Sequence, residues 1–242
     1  MALWVNIFRQ KIQIISSVIL TVVCGGLGMS VYAVVAVKGS DTSKKRLSPV
    51  LNPQERTQLT LAMLEDVLNA LQTSTINKTV IVSNDFTLGD FAGKFNAQHL
   101  VQKTTGLNPA VEEATEWCVQ QGAEAVLMLP ADIPLLSSED VEKIVELGNG
   151  NPRTVVLSRS YDGGTNALFQ SPPNLIHACF GPRSFSKHVK EAQRRKVCLK
   201  LHYSIGVATD IDSVEDLAKM LKAEGNTACR RVLDQFKLYG RL

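Results

Sequence analysis

The chain has 242 residues, 45% of them hydrophobic, and a formal net charge of +3. That length and apolar content suffice for one α/β domain, or two small ones at most, with a sizeable core. The small net charge argues against a broad nucleic-acid-binding surface. The five cysteines, Cys24, Cys118, Cys179, Cys198 and Cys229, form no CxxC pair and keep no regular spacing. That pattern fits reduced thiols in a cytosolic protein better than disulfides or a zinc site.

Residues 12–27 are nearly all apolar and follow Arg9 and Lys11. The run falls short of the about 20 residues that a membrane helix needs. Three readings compete: a membrane anchor with its positive flank inside, a signal peptide, and an extension with no structural role. The signal peptide fits the rest of the chain worst, and the extension is preferred to the anchor. Gly25, Gly26 and Gly28 break the segment just before Met29. The working domain is therefore expected over residues 29–242, preceded by residues 1–28. The expected location is cytoplasmic, with N-terminal membrane association left open.

The apolar run at residues 31–37 reads as a first strand, and residues 38–51 as a loop. Asn52 caps the next helix, with Pro53 at its first position and Glu55 at its third. Leu59, Met63, Val67 and Leu71 give that helix one core-facing stripe. A second strand covers 79–83, a short helix 88–94 and a short strand 99–102. Asn108 and Pro109 open a helix to about residue 121. A buried strand then ends at Pro130, and a helix follows over 138–147, started by Ser137 and Asp140 in a capping box. Residues 154–158 form a strand and 167–169 a short one. A basic helix spans about 184–196, strand structure lies within 199–207, and Ser213 caps a helix to about 223. The tail over 227–236 reads as helical. This alternation implies a mainly parallel sheet in three layers, with right-handed connections.

Five segments carry candidate chemistry. Asp132 follows a solid apolar strand, Ala125 to Leu129, and Pro134 stiffens the turn behind it. Open α/β sheets bind ligands beyond the carboxyl ends of such strands, so Asp132 is read as meeting a ligand or metal rather than capping a helix. The loop VKGSDTSKKRLSPVL, residues 37–51, lies where a phosphate-binding loop belongs but carries neither GxGxxG nor GxxxxGK[ST]. Its Lys38, Lys44, Lys45 and Arg46 suit a triphosphate and its departing pyrophosphate; a solvated basic loop is an equal alternative from charge alone.

In TDID, residues 209–212, Asp210 is read as a metal ligand and Asp212 as a helix cap, because alternating strand residues point opposite ways. Two carboxylates with phosphate oxygens and water meet the octahedral demand of Mg²⁺. In YDGGTNALF, residues 161–169, Thr165 and Asn166 follow paired glycines that could nest a carboxylate or phosphate, or merely turn a hairpin. In CFGPRSFSKH, residues 179–188, Ser184 stands at a helix N-terminus that favours anions, with Arg183 and His188 adding positive charge nearby. None of His99, His177, His188 and His202 has a metal-ligand partner at i+4, so all four are read as structural.

Taken together, these segments resemble the 2-phospho-L-lactate guanylyltransferase family. The resemblance runs from residue 31 to about 236 and is carried by AVVAVKGSDTSKKRLSPVL, LTLAMLEDVLNAL, GLNPAVEEA, LPADIPLL, GGTNALF, FGPRSFSKH and TDIDSVEDL. It implies an α/β fold: a three-layer α/β/α, mainly parallel, Rossmann-like sheet of the nucleotide-diphospho-sugar transferase type. It also implies an enzyme that joins GTP to 2-phospho-L-lactate, phosphoenolpyruvate or 3-phosphoglycerate, with release of pyrophosphate, in coenzyme F420 biosynthesis. By the same resemblance, Asp132 and Asp210 are the Mg²⁺ carboxylates, and Thr165, Gly181 and Ser184 contact the acid's phosphate and carboxylate. Lys38, Lys44 and Arg46 fall on the triphosphate loop, Lys44 and Arg46 with a catalytic role, and Asn108 falls in the nucleotide pocket.

Two positions depart from the family pattern: Asp162 replaces the first of three glycines, and Lys45 stands where a small residue is common. The expected partners are GTP and a small phosphorylated acid, with no nucleic acid; a homodimer stays open, as does membrane contact through residues 12–27. The alternatives are a related nucleotidyltransferase acting on a sugar phosphate or molybdopterin, and an inactive membrane-tethered binding protein of the same fold. VKGSDTSKKRL does not match the LAGGxSxRMG-type loop of the molybdopterin enzymes.

Overall fold

A computed structural model describes residues 28–37, 44–222, 225–236, 238 and 241. The chain divides into two compact units, Met1–Ser30 and Val31–Leu242, and the fold that follows is that of the second. Residues 12–27 and Lys38 lie outside the described residues. Among the described residues, no helix is long and apolar enough to cross a membrane.

Seven strands form one sheet: β1 (Val31–Ala36), β2 (Lys78–Ser83), β3 (Gln98–Val101), β4 (Ala125–Pro130), β5 (Thr154–Arg159), β6 (Thr165–Ser171) and β7 (Cys198–His202). Their order across the sheet is β3-β2-β1-β4-β6-β5-β7. β6 runs antiparallel to both its neighbours, and every other pairing is parallel. Tyr32 and Val34 face one core with Val126 and Met128. The alternating Val31, Ala33 and Val35 are just as buried. Both faces of the centre are therefore covered, as a continuous apolar run requires.

The helices follow local signals. α1 (Pro53–Gln72) has the Asn52–Glu55 capping box, and α4 (Ser138–Gly148) has one from Ser137 and Asp140. α2 (Leu88–Gly93) leads to β3, and α3 (Leu107–Gln120) and α5 (Ser184–Arg194) supply Ala110, Val111, Ala114 and Ala192 to the core shared with Tyr32 and Val34. A four-residue helix, α6 (Ile205–Ala208), follows β7. α7 (Val214–Lys222) and α8 (Ala228–Gln235) pack a second apolar cluster with Leu59 and Met63 of α1. Asp66 of α1 accepts the backbone N–H groups of Ala228 (2.6 Å) and Cys229 (2.8 Å), which caps α8 from across the interface.

The short strand expected at 167–169 is in fact the seven-residue, wholly buried β6. Polar Thr165, Asn166, Gln170 and Ser171 interrupt its apolar run. Several of these find partners inside: Asn166 donates to Val207 O (2.9 Å), and the Gln170 side-chain oxygen accepts from Ile176 N–H (2.7 Å). The glycine pair does turn a hairpin, closed by Ser160 N–H on Gly164 O (3.1 Å). Gly163 takes φ +91°, a conformation that favours glycine.

β1 is followed in sequence by β2 and β3 on one side, while β4 joins β1 on the other. The carboxyl ends of β1 and β4 therefore form a topological switch point, where ligands of open α/β sheets bind.

Candidate active site

A cavity of about 700 Å³ opens at that switch point. Ala36 and Val37 at the end of β1, and Met128 through Asp132 at the end of β4, line it. So do Lys44, Lys45 and Arg46 of the basic loop, Asp162 and Gly164 of the β5–β6 turn, and the segment before α5.

Asp132, Asp210 and Asp212 all line this cavity. Ile211 N–H donates to the Asp132 backbone oxygen (3.0 Å), which pins the second acidic segment to the end of β4. Asp210 is further held by the Asn166 amide (3.3 Å). Burial first, and the neighbouring charge of Asp132 second, push the Asp210 carboxyl up to about 6. Asp132 thus lies close enough to oppose the ionisation of Asp210.

Lys44 sits between Asp132 and Asp212, with its ammonium 2.6 Å from each, and its side chain is only 7% exposed. Burial works to lower its pKa, but Asp132 and then Asp212 outweigh this and hold it above the ordinary lysine value. Lys44 owes its placement to the turn Lys45–Leu47, which it precedes at φ 54°, and to Leu47 and Leu51, both buried behind the loop. Asp212 is not the helix cap expected of it. Ser213 takes that role: its hydroxyl accepts Asp216 N–H (3.2 Å), and Asp216 accepts Ser213 N–H in return (3.0 Å). Residues 209–213 are not a strand, so strand alternation does not apply and both acids face the cavity.

The same cavity is lined by Thr165 at the start of β6, Gly181, and Ser184 at the first position of α5. Gly181 has φ +115°, which favours glycine. Arg183, also on the wall, takes a left-handed φ of 56°. Arg46 also lines the cavity, within electrostatic reach of Asp162. The Asp162 carboxyl is held below its usual range by the Ser160 hydroxyl first and the Gly164 N–H next.

Asn108 does not line the cavity, although Leu107 and Val111 on the same helix do. Its side chain accepts Phe180 N–H (2.6 Å) and donates to Phe180 O (3.2 Å), so it holds the segment that carries Gly181. His188 does not add the positive charge that its position suggested. It is fully buried, and burial first, with Lys187 second, pushes its imidazole down to about 4. It bonds Thr165 and the backbone of Cys179.

Residues 31–239 match the family described as guanylyl transferase CofC like. The chain belongs to that family. It is 40% identical, over 84% of its length and 98% of the relative's, to a phosphoenolpyruvate guanylyltransferase of Rubrobacter xylanophilus. It is 35% identical, over 85% of its length and 91% of the relative's, to a 2-phospho-L-lactate guanylyltransferase of Methanocaldococcus vulcanius. The fold matches that of a candidate nucleotide-diphospho-sugar transferase from Desulfovibrio desulfuricans G20, with TM-score 0.72 and 17% identity over 86% of this chain and 95% of that one. It also matches a 4-diphosphocytidyl-2C-methyl-D-erythritol synthase from Anaerococcus prevotii, with TM-score 0.58 and 15% identity over 86% and 97%. This member of the CofC-like family is a nucleotidyltransferase.

The acidic groups fit a hard divalent cation. Asp132 and Asp210 offer oxygen donors only, and Asp210 is raised in part by the charge of Asp132, a repulsion that a shared cation would relieve. Among the described residues, no cluster of three or more His, Cys, Asp or Glu is arranged to hold an ion unaided.

Proposed function

We propose that this protein transfers a guanylyl group from GTP to a small phosphorylated three-carbon acid, 2-phospho-L-lactate or phosphoenolpyruvate, with release of pyrophosphate. Its product would feed coenzyme F420 biosynthesis. The observation that carries the reading is one cavity lined at once by the carboxylates Asp132 and Asp210, by the cations Lys44 and Arg46, and by Thr165, Gly181 and Ser184.

A phosphate oxygen of the acid attacks the α-phosphorus of GTP. The bond from that phosphorus to the bridging oxygen of the pyrophosphate group breaks, and its electron pair leaves with pyrophosphate. Both reactants are anions, so their mutual repulsion is the barrier that the site must lower. Asp132 and Asp210 would hold Mg²⁺, which when bound supplies positive charge to the reacting phosphates. Lys44 and Arg46 stabilise the negative charge that grows on the departing pyrophosphate. Ser184 and Gly181, at the positive end of α5, and the Thr165 hydroxyl bind and orient the acid. No general base is required, because a phosphate monoester is already ionised near neutral pH.

The test is pyrophosphate release by the full-length protein with GTP and Mg²⁺, in the presence of phosphoenolpyruvate, 2-phospho-L-lactate or 3-phosphoglycerate in turn. Acid-dependent release and a guanylylated product are expected. Release that ignores all three acids would sink the assignment.

A further inference from the structure

We infer that His188 is a positioning residue that forces the Thr165 hydroxyl to donate its proton into the acid-binding side of the cavity. The inference rests on the proposed reading that Thr165 contacts the phosphorylated acid.

The argument is one of hydrogen-bond direction. Cys179 N–H lies 2.8 Å from His188 Nε2. A backbone amide can only donate, so Nε2 must be the bare, accepting nitrogen. The ring then carries its single proton on Nδ1, the tautomer set by the bond at the other nitrogen. Nδ1 lies 2.9 Å from Thr165 Oγ1. With the proton on Nδ1, this bond runs from imidazole to hydroxyl, and Thr165 is the acceptor. The threonine proton is therefore left to point elsewhere, and Thr165 lines the cavity.

The ring has little freedom to abandon this role. His188 has 0% of its surface exposed, and Phe180 packs edge-on against it with centroids 5.2 Å apart. A neutral, buried ring is also what its lowered pKa requires. An anionic oxygen placed against Thr165 would meet an oriented O–H donor rather than a rotor free to present its lone pairs. The bond at Nε2 ties the same ring to the start of the segment that carries Gly181 and Ser184. One imidazole thus sets both the direction of one acid contact and the position of two others.

The experiment is a double-mutant cycle on steady-state KM, with GTP and phosphoenolpyruvate or 2-phospho-L-lactate varied in turn. His188→Gln places an amide oxygen near the Nε2 position, which keeps an acceptor for Cys179 N–H, and it removes the donor to Thr165. It should raise the acid's KM at least about tenfold, the weight of one hydrogen bond to a charged group, and leave the KM of GTP within about twofold. In a Thr165→Val background the same change should raise the acid's KM by less than about threefold, because no hydroxyl remains to orient. Equal increases for acid and GTP, or effects of the two substitutions that simply multiply, would overturn the inference. Wild-type protein that turns over none of the acids would remove the parent reading instead, and the inference with it. Should His188→Gln fail to fold, ¹⁵N chemical shifts of the wild-type histidines decide the matter. A buried imidazole protonated at Nδ1 is expected, and protonation at Nε2 would refute it.

Discussion

The buried neutral imidazole of His188 makes a specific demand on the pH dependence of stability. In the unfolded chain a histidine titrates near 6.5, whereas in the folded protein His188 is pushed down to about 4. Below pH 6.5 the unfolded chain takes up a proton that the folded chain refuses. Stability from this group is therefore full above about 6.5 and is lost as the pH falls toward 4. The gap of about 2.5 in pKa corresponds to about 3 kcal/mol once the loss is complete, and to about 2 kcal/mol at pH 5. The physical cause is burial of the ring first and the nearby charge of Lys187 second. Urea unfolding at pH 7.5 and pH 5.0, followed by circular dichroism, measures the loss. Wild type should lose about 2 kcal/mol more than His188→Gln between the two conditions, with similar m-values. The other titrating groups, including Asp210 with its shift of opposite sign, are common to both proteins and cancel. Equal losses in the two proteins would show that the ring titrates normally, and the tautomer argument would fall with it.

Three further outcomes are expected. Asp132→Asn should keep the fold by circular dichroism and lower kcat about a hundredfold or more, the scale of lost electrostatic catalysis; near-wild-type pyrophosphate release would refute its role. Ser184→Ala should raise the KM of the acid more than that of GTP, and equal effects on both would count against an acid contact. Gly148→Ala places a Cβ inside the Phe169 ring, so a loss of about 1–3 kcal/mol and a lower Tm are expected from overpacking; an unchanged Tm would mean that α4 can shift away at no cost.

What the sequence made legible was what lies close along the chain. β4 is an unbroken apolar run, and both capping boxes place their partners three residues apart, so strand and helix starts could be read directly. β6 was read too short because buried polar residues look like a strand end until their partners are known. The Asn166 bond to Val207 and the Gln170 bond to Ile176 are contacts made in the fold, not patterns in a window. The pairing of Lys44 with Asp212 joins residues 168 positions apart. The only local hint was that Ser213 with Asp216 already supplied a cap, which left Asp212 without that task. His188 was the harder case. An isolated histidine on a basic helix carries no sign of its tautomer, which here depends on an amide nine residues away and a hydroxyl on another strand.

The charges in the cavity explain why one lysine bridges two of its acids. Three carboxylates, Asp132, Asp210 and Asp212, line the cavity with the cations Lys44, Lys45, Arg46 and Arg183. Burial first and the charge of Asp132 second raise the pKa of Asp210. Lys44 reaches two of the carboxylates from the basic loop with its side chain nearly withdrawn from water. A buried cation is stable only while such partners remain, and removing one leaves an uncompensated charge. The contact therefore couples the position of the loop to the charge state of the acidic cluster. A divalent cation on Asp132 and Asp210 would take over part of the compensation that Lys44 now gives Asp132, and phosphate oxygens would give the ammonium a new partner. Loop, carboxylates and reactants share one electrostatic balance, so substitutions at Lys44 and Asp132 should be strongly non-additive in turnover.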